Sequence, residues 1–298
     1  MLFRLRSFTQ AELQIFFDPA SPPGRLGPSA TERVPVLRVD RRERGEGSPE
    51  LVTAGELVAS GLPEFYVDHL LHTLRFLRDV LGYPAERIRF FEKSEKERAF
   101  YNRIQFDAEV HLESLGGYTE VGAVHYRGDY DLRRHSDGSG KDLSVSRGAG
   151  ERLVPHVLEL TFGVDRNVWA LADLHLARDG DRTVWRLPPY LAPVATGVFP
   201  LIAKEHRAFA EQLTHDLLAG GIDAQYDEAS SIGKRYARMD EAGTPYDLTV
   251  DGPTVGDGPE HGTVTLRSRD SKAQERVPAA DVAGRIGPSL RPPRPPPP

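Results

Sequence analysis

Apolar and polar positions recur along this chain regularly enough to lay out most of its elements. The stretch LPEFYVDHLLHTLRFLRDVL (62–81) carries apolar residues at helical spacing and stops at Gly82-Tyr83-Pro84, which predicts a core helix. FDAEVHLES (106–114) and YTEVGAVHY (118–126) alternate instead, as arms of an antiparallel hairpin around Gly116-Gly117, with a two-residue loop as one of several registers. Before them, ERIRFFEK (86–93) reads as a strand. SEKERAFYNR (94–103) reads as a helix start, with Ser94 as N-cap and Glu97 three residues on. At the N-terminal end LFRLRSF reads as a strand, followed by the apolar-periodic TQAELQIFF. VPHVLELTFGVDRNVWALADLHL (154–176) passes from a buried strand into an apolar helix. Two stretches break the pattern. Residues 19–50, rich in Pro, Gly and charge, predict an excursion or mobile loop, and RRHSDGSGKDLSVSRGAGER (133–152) predicts a polar, glycine-rich loop.

The character changes after Pro188-Pro189. APVATGVFPL is a strand, EHRAFAEQLTHDLLAGG an amphipathic helix with a Gly cap, IDAQYDE a strand and SIGKRYARMDEAG a basic helix. PYDLTVDG and GTVTLRSR follow as strands, and AQERVPAADVAGRI as a strand and helix. The expected fold class is therefore α+β: an antiparallel sheet with helices over 1–187, then an α/β domain with a mixed sheet over 188–287. A proline-rich tail, 288–298, is expected to be disordered. No internal repeat is visible.

Composition narrows the class. Of 298 residues, 39% are hydrophobic and 28% charged, and a mean hydropathy of −0.44 is that of a soluble globular chain. No apolar run reaches a membrane span, and MLFRLRSFTQAELQ has neither an h-region nor a cleavage site, so no membrane partner or secretory signal is expected. Zero cysteines exclude disulfides and thiolate zinc sites and are compatible with a cytoplasmic location. The net charge of −6 argues against a generic polyanion binder, although a basic face on an acidic protein suffices for nucleic acid.

Candidate chemistry gathers at a few points. Glu159, Thr161 and Arg166 stand where a buried strand turns into a helix, and an acid, a hydroxyl and a guanidinium are costly to desolvate there without partners. A ligand carrying both an amine and a phosphate would pair with them. Arg4, Phe8 and Glu12 are spaced to share one face of the first strand, as a phosphate, base and amine row; one salt bridge and one core Phe is the plainer alternative. Lys234, Arg235 and Arg238 make a basic turn that, with Arg267 and Arg269, would meet RNA phosphates, against the alternative of a solvated face paired with Asp240 and Glu241. Tyr236 is the nearby ring for stacking. His125, His135 and His156 are scattered, so no metal site is expected. GSGK (138–141) and GAG (148–150) lack the spacing and flanking strand of a P-loop. Trp169 and Trp185 read as core or rim.

Several ordered motifs carry a family resemblance. LFRLRSFTQAELQIFFDP resembles the second half of motif 2 of class II aminoacyl-tRNA synthetases in their glycyl form. VPHVLELTFGVDR is similar to that family's motif 3, usually written E-P-S-x-G-x-x-R. GYTEVGAVHYRGDYDLRRHSDGSGKDL resembles the intervening G-W-x-E … R-T-D-Y-D-L block, and IDAQYDEASSIGKRYARMDEAGTPYDLTVD with GTVTLRSRDSKAQERV resembles the anticodon-binding domain. The resemblance runs from about residue 1 to 287 and is weak over 20–60. It implies glycine–tRNA ligase activity, with ATP and Mg²⁺ as cofactors and tRNA(Gly) and glycine as partners. By position it implies that Arg4 meets ATP phosphates, alongside Leu5, Arg6 and Ser7, and that Phe8 stacks on adenine. It places Glu120, Val121, Gly163 and Arg166 against ATP, with Arg4 and Arg166 catalytic. Phe8, Glu12, Arg127, Glu159 and Thr161 would hold glycine, the last two at its amino group.

Departures from the family pattern modify these expectations. The resemblance opens inside the motif 2 loop, so its F-R-x-E arginine, motif 1 with its dimer interface and the R-P-E-T strand fall upstream of Met1. The synthetase-like domain is then expected to be incomplete, with uncovered sheet edges, a homodimer in doubt and aminoacylation weak. Ser7 stands for Glu, Leu160 for the motif 3 Pro, Thr161 for Ser, and Gly122 and Tyr126 for a large residue and an Asp. An added methyl at Thr161 matters by about 1 kcal/mol or more in a tight pocket. It keeps open a ligase for another small amino acid or a carrier. A non-catalytic paralogue binding RNA or a partner is the competing expectation.

Overall fold

The computed structural model describes residues 6–148 and 150–293. Two compact units divide the chain, one over 1–79 with 83–174 and the other over 80–82 with 175–298.

In the first unit seven strands form one sheet. They are β1 (Gln10–Phe17), β2 (Arg33–Leu37), β3 (Glu50–Thr53), β4 (Ile88–Glu92), β5 (Ile104–Leu112), β6 (Gly117–Gly128) and, after a short hairpin of β7 (Val145–Gly148) and β8 (Glu151–Leu153), β9 (His156–Gly163). Their order is β1-β9-β6-β5-β4-β2-β3, antiparallel throughout except for β2 beside β4. Helices α1 (Val39–Glu43), α2 (Ala54–Ala59), α3 (Glu64–Arg75), α4 (Tyr130–Ser139) and α5 (Val164–His175) complete it.

Alternation along the strands gives the sheet an apolar and a polar face. Phe90, Phe106, Ala108, Val124, Leu158 and Leu160 are buried on the first, along with Tyr66, Leu70 and Leu71 of α3. Tyr66 hydroxyl donates to the Val124 carbonyl at 2.7 Å, pinning helix to sheet. Beyond Arg75, α3 continues as a π-helical turn, Phe76–Val80, whose Phe76 ring meets Phe162 edge-on at 5.0 Å. Gly122 is required by close approach rather than by its dihedrals. A Cβ there would stand 2.6 Å from the Thr161 carbonyl and 2.9 Å from the Phe162 ring. Gly122→Ala is expected to cost about 1–3 kcal/mol by forcing β6 and β9 apart, read as a lower urea midpoint; an unchanged midpoint would show that the strands yield freely.

Several expectations are corrected. The first described strand is Gln10–Phe17, preceded by Arg6, Ser7 and Phe8 outside any strand, and the remainder of LFRLRSF lies outside the described residues. Residues 19–50 are not one loop, since they supply β2, α1 and the start of β3. The polar stretch 133–152 continues α4 and forms the β7–β8 hairpin. Ser94 and Glu97 make a cap-like bond, Ser94 N–H donating to Glu97 Oε2 at 2.8 Å, but only turns follow. The helix after β9 is not a buried one: only Asn167 and Ala170 are buried along it.

The second unit is built on a five-stranded mixed sheet. After a hairpin of β10 (Leu176–Asp179) and β11 (Arg182–Trp185), the elements are β12 (Thr196–Pro200), α6 (Ala203–Ala219), β13 (Ala224–Tyr226), α7 (Ile232–Ala242), β14 (Tyr246–Val250), α8 (Gly252–Val255), β15 (Thr263–Ser268), β16 (Gln274–Pro278) and α9 (Val282–Ile286). The order is β13-β12-β14-β15-β16, with the first three parallel. The hairpin β10–β11 begins at Leu176, where the sequence reading ended the preceding helix, and occupies a stretch to which that reading gave no element. The tail expectation is modified too, because Gly287–Leu290 forms a 3-10 turn; residues 294–298 lie outside the described residues. Among the described residues no helix is long and apolar enough to cross a membrane.

Candidate active site

The polar face of the seven-stranded sheet brings together residues far apart in sequence. Across β1 and β9, Glu12 stands opposite Thr161 and Gln14 opposite Glu159. On the other side of β9, Ala123 is opposite Thr161 and His125 opposite Glu159. One strand further, Gln105 faces His125 and Asp107 faces Ala123. Glu159 is 5% exposed and Asp107 2%. Charges this deep need partners, and both have them. Glu159 Oε2 accepts from Gln14 Nε2 at 3.0 Å and from the Arg127 guanidinium. Asp107 pairs with Lys93 at 2.8 Å.

Two β-bulges shape this face, one between Ala108 and Glu109 and one between Tyr126 and Gly128. A bulge kinks its strand and re-aims the side chains beside it. At the second, Arg127 reaches Glu159, donates through Nε to Asp131 Oδ2 at 2.7 Å and lies 4.5 Å over the Tyr101 ring. Burial opposes its charge, but Asp131 and Glu159 outweigh it and hold its pKa above the ordinary guanidinium value. Arg127 also lines a cavity of about 390 Å³ with Tyr101, Arg103, Tyr130 and Arg134. At the first bulge Val121 has no register partner, and its carbonyl accepts from Asn167 Nδ2 at 3.0 Å. Asn167 also donates to the Gly163 carbonyl at 2.8 Å and accepts from Tyr83 hydroxyl at 2.9 Å. It thereby fixes the start of α5, where the neighbouring Arg166 meets Glu120 Oε1 at 3.1 Å. Burial and then Asp107 push the Glu120 carboxyl above its ordinary pKa, and Arg166 pulls it back. The segment before β1 is tied to the same helix: Thr9 N–H donates to Asp165 Oδ2 at 2.7 Å, and its carbonyl accepts from Val164 N–H at 2.9 Å. Among the described residues no three His, Cys, Asp or Glu side chains gather closely enough to hold a metal ion.

Comparison with known proteins gives this face its relatives. Residues 190–287 match the family described as "Anticodon binding domain". The chain is 31% identical to a glycine–tRNA ligase of Thermococcus gammatolerans over 96% of its own length and 63% of the relative's. It is 32% identical to that of Thermococcus kodakarensis over 93% of this chain and 61% of the relative, and 31% identical to that of Pyrococcus furiosus over 96% and 63%. Over most of its own length the chain is thus similar to glycine–tRNA ligases. It spans about three fifths of the length of the relatives it matches. The first alignment runs over 365 positions, more than the 298 residues of the chain, so the relatives carry residues within the matched stretch that have no counterpart here. The α+β architecture with a mixed-sheet unit agrees with that similarity.

Glu159, Thr161, Glu12 and Arg127 share the polar face, with Glu120 and Arg166 paired beside it and Gly163 at the strand-to-helix turn. Val121 is fully buried and offers only its backbone. Arg6, Ser7 and Phe8 precede β1 and are exposed, Phe8 by 62%. Arg4 and Leu5 lie outside the described residues. The reading of Phe8 and Glu12 as one strand row is therefore corrected, since Glu12 is on β1 and Phe8 precedes it; the Arg4 part of that row lies outside the described residues. In the second unit Lys234 is exposed. Arg238 is exposed but engaged, donating to Asp227 and to the Ala229 carbonyl at 2.8 Å. Arg235 is corrected from a phosphate contact to an internal staple, because it is buried and donates to the carbonyls of Pro200, Glu228, Ala229 and Ser230. Arg267 and Arg269 are buried as well, and the Tyr236 hydroxyl is bonded to Thr249 at 2.6 Å. Sequence reasoning missed Gln14, Asn102, Gln105, Asp107, His125 and Asn167. For Gln14, Gln105, Asp107 and His125 the one signal was polar residues at alternate positions of strands otherwise rich in apolar ones; Asn102, before β5, and Asn167, on α5, carried none.

Proposed function

We propose that the protein activates glycine with ATP and transfers it to tRNA(Gly), acting in the cytoplasm. The observation that carries this reading is Glu159: a buried carboxylate held by Arg127 and Gln14, in register with His125 and two residues along β9 from Thr161. A carboxylate has about four lone-pair sites, so Glu159 retains acceptor capacity for a donor-only ammonium, joined by the Thr161 hydroxyl and the Glu12 carboxylate. In the reaction a glycine carboxylate oxygen attacks the α-phosphorus of ATP and the bond to pyrophosphate breaks. A hydroxyl of the terminal ribose of tRNA then attacks the glycyl carbonyl and AMP leaves. Both steps depend on positioning and charge neutralisation rather than a side-chain nucleophile. Arg166, steadied by Glu120 and by Asn167 at the next position, would meet phosphate, with Arg6, Ser7, Gly163, the Val121 backbone, and Arg4 and Leu5 beyond the described residues. Phe8 offers an open ring to adenine.

Mg²⁺ supplies phosphate neutralisation when bound. With no three-ligand cluster among the described residues, a fit exists only for a cation held chiefly by the phosphates and steadied by one carboxylate such as Glu120. Residues 190–287 would recognise the anticodon stem, with Lys234 and Arg238 nearest to hand on α7. A homodimer belongs to the same reading and would appear as a doubled mass in sedimentation. The decisive measurement is calorimetric titration with a non-hydrolysable glycyl-adenylate analogue. Saturable binding that excludes ATP is expected, and no binding of either ligand would end the proposal.

A further inference from the structure

A directed run of hydrogen bonds crosses the floor of the polar face and ends at the amino-acid site. Lys93 Nζ lies 2.8 Å from Asp107 Oδ2, which leaves that carboxylate an acceptor only. Gln105 must therefore turn its amide nitrogen to Asp107 Oδ1, at 2.9 Å, and its oxygen the other way. That oxygen accepts from Asn102 Nδ2 at 2.9 Å, so the Asn102 amide is oriented too. The same nitrogen stands 3.0 Å from His125 Nδ1, which must accept, and the ring then carries its proton on Nε2, 3.4 Å from Thr161 Oγ1. Buried Asn102 Oδ1 is left without a hydrogen-bond partner among the described residues, so the orientation is kept at a cost. Burial foremost, with Arg127 opposed by Asp107 and Glu12, lowers the His125 pKa, in keeping with a neutral ring.

The ring is thus locked between two side chains that the proposed function assigns to the substrate amine. His125 pairs in register with Glu159 and reaches the hydroxyl of Thr161. An ammonium held by those two would therefore lie beside the imidazole, with the ring available to meet its Cα. We infer that His125 is a specificity-determining residue whose fixed ring fills the space a substrate β-carbon would need, restricting the site to an amino acid without a side chain. The chain from Lys93 through Asp107, Gln105 and Asn102 holds that ring in place. This inference rests on the ligase reading.

The test is calorimetric binding of non-hydrolysable glycyl-, alanyl- and seryl-adenylate analogues to the wild type, His125→Ala and His125→Gln. The wild type is expected to favour the glycyl analogue about tenfold or more over the alanyl. His125→Ala should bring that ratio close to one while glycyl affinity changes only a few-fold. His125→Gln, which retains bulk and a donor, should restore the preference. A ¹⁵N spectrum of the wild type should show His125 protonated at Nε2, a readout independent of whether the variants fold. An unchanged ratio in His125→Ala, or a ring protonated at Nδ1, overturns the inference and leaves the ligase reading standing. Failure of every analogue to bind the wild type removes both.

Discussion

Replacing Arg267 by methionine is expected to destabilise the second unit by about 3–5 kcal/mol, the largest stability change foreseen for a single substitution here. Arg267 is buried and donates to Asp240 at 3.0 Å and to Asp247 at 2.8 Å, and both carboxylates are fully buried. Methionine fits the volume but strands the acids, of which Asp240 retains Arg182 while Asp247 retains nothing comparable. Burial already pushes the Asp247 pKa up to about 8, against the pull of Arg267. One of its oxygens has no hydrogen-bond partner among the described residues. The sign follows: the folded state holds this proton more tightly than an unfolded chain with a pKa of about 4. The stability it contributes is therefore full below about pH 4 and lost as pH rises towards 8. Without Arg267 the decline should extend to higher pH, whereas Asp247→Asn should flatten it. Urea unfolding at pH 6 and pH 9, followed by Trp185 in a Trp169→Phe background, would show this. A loss below 1 kcal/mol for Arg267→Met would mean the cluster relaxes or admits water.

Glu159→Gln is expected to weaken binding of a glycyl-adenylate analogue by about 10- to 100-fold, the worth of a hydrogen bond to a charged group. The change is isosteric, so packing on β9 is preserved. The amide has one acceptor where the carboxylate had two, and its NH₂ can no longer receive Arg127 or an ammonium. Arg127 keeps Asp131, which should limit the cost in stability. Unchanged affinity in Glu159→Gln would show that the amine is held elsewhere, and the assignment of this face would fail.

Legibility of the fold tracked element length. α3, β5, β6, β9, α6 and α7 are long enough for their apolar period to repeat, and they stand where periodicity predicts them. α1 has five residues and β2 five, too few to show a period inside a proline- and glycine-rich stretch. α4 was hidden by Gly138 and by a polar surface that carries no apolar stripe. The bulges were invisible because they are properties of a strand pair, not of either strand. At the candidate site, Glu159, Thr161 and Arg166 were singled out by one motif and Arg127 by another, and the sheet brings Arg127 to Glu159. Lys93, Asp107, Gln105, Asn102 and His125 belong to no motif, and only the register of β5 against β4 and β6 makes neighbours of them.

The four-carbonyl grip of Arg235 has a consequence for encounters at that end of the second unit. It draws the stretch from Glu228 to Ser230 against the end of β12 before anything docks there. The conformational freedom of that loop is surrendered during folding, not on contact. A macromolecule arriving beside Lys234 and Arg238 would meet a surface already set, and its capture rate should respond to ionic strength far more than to any rearrangement of the protein.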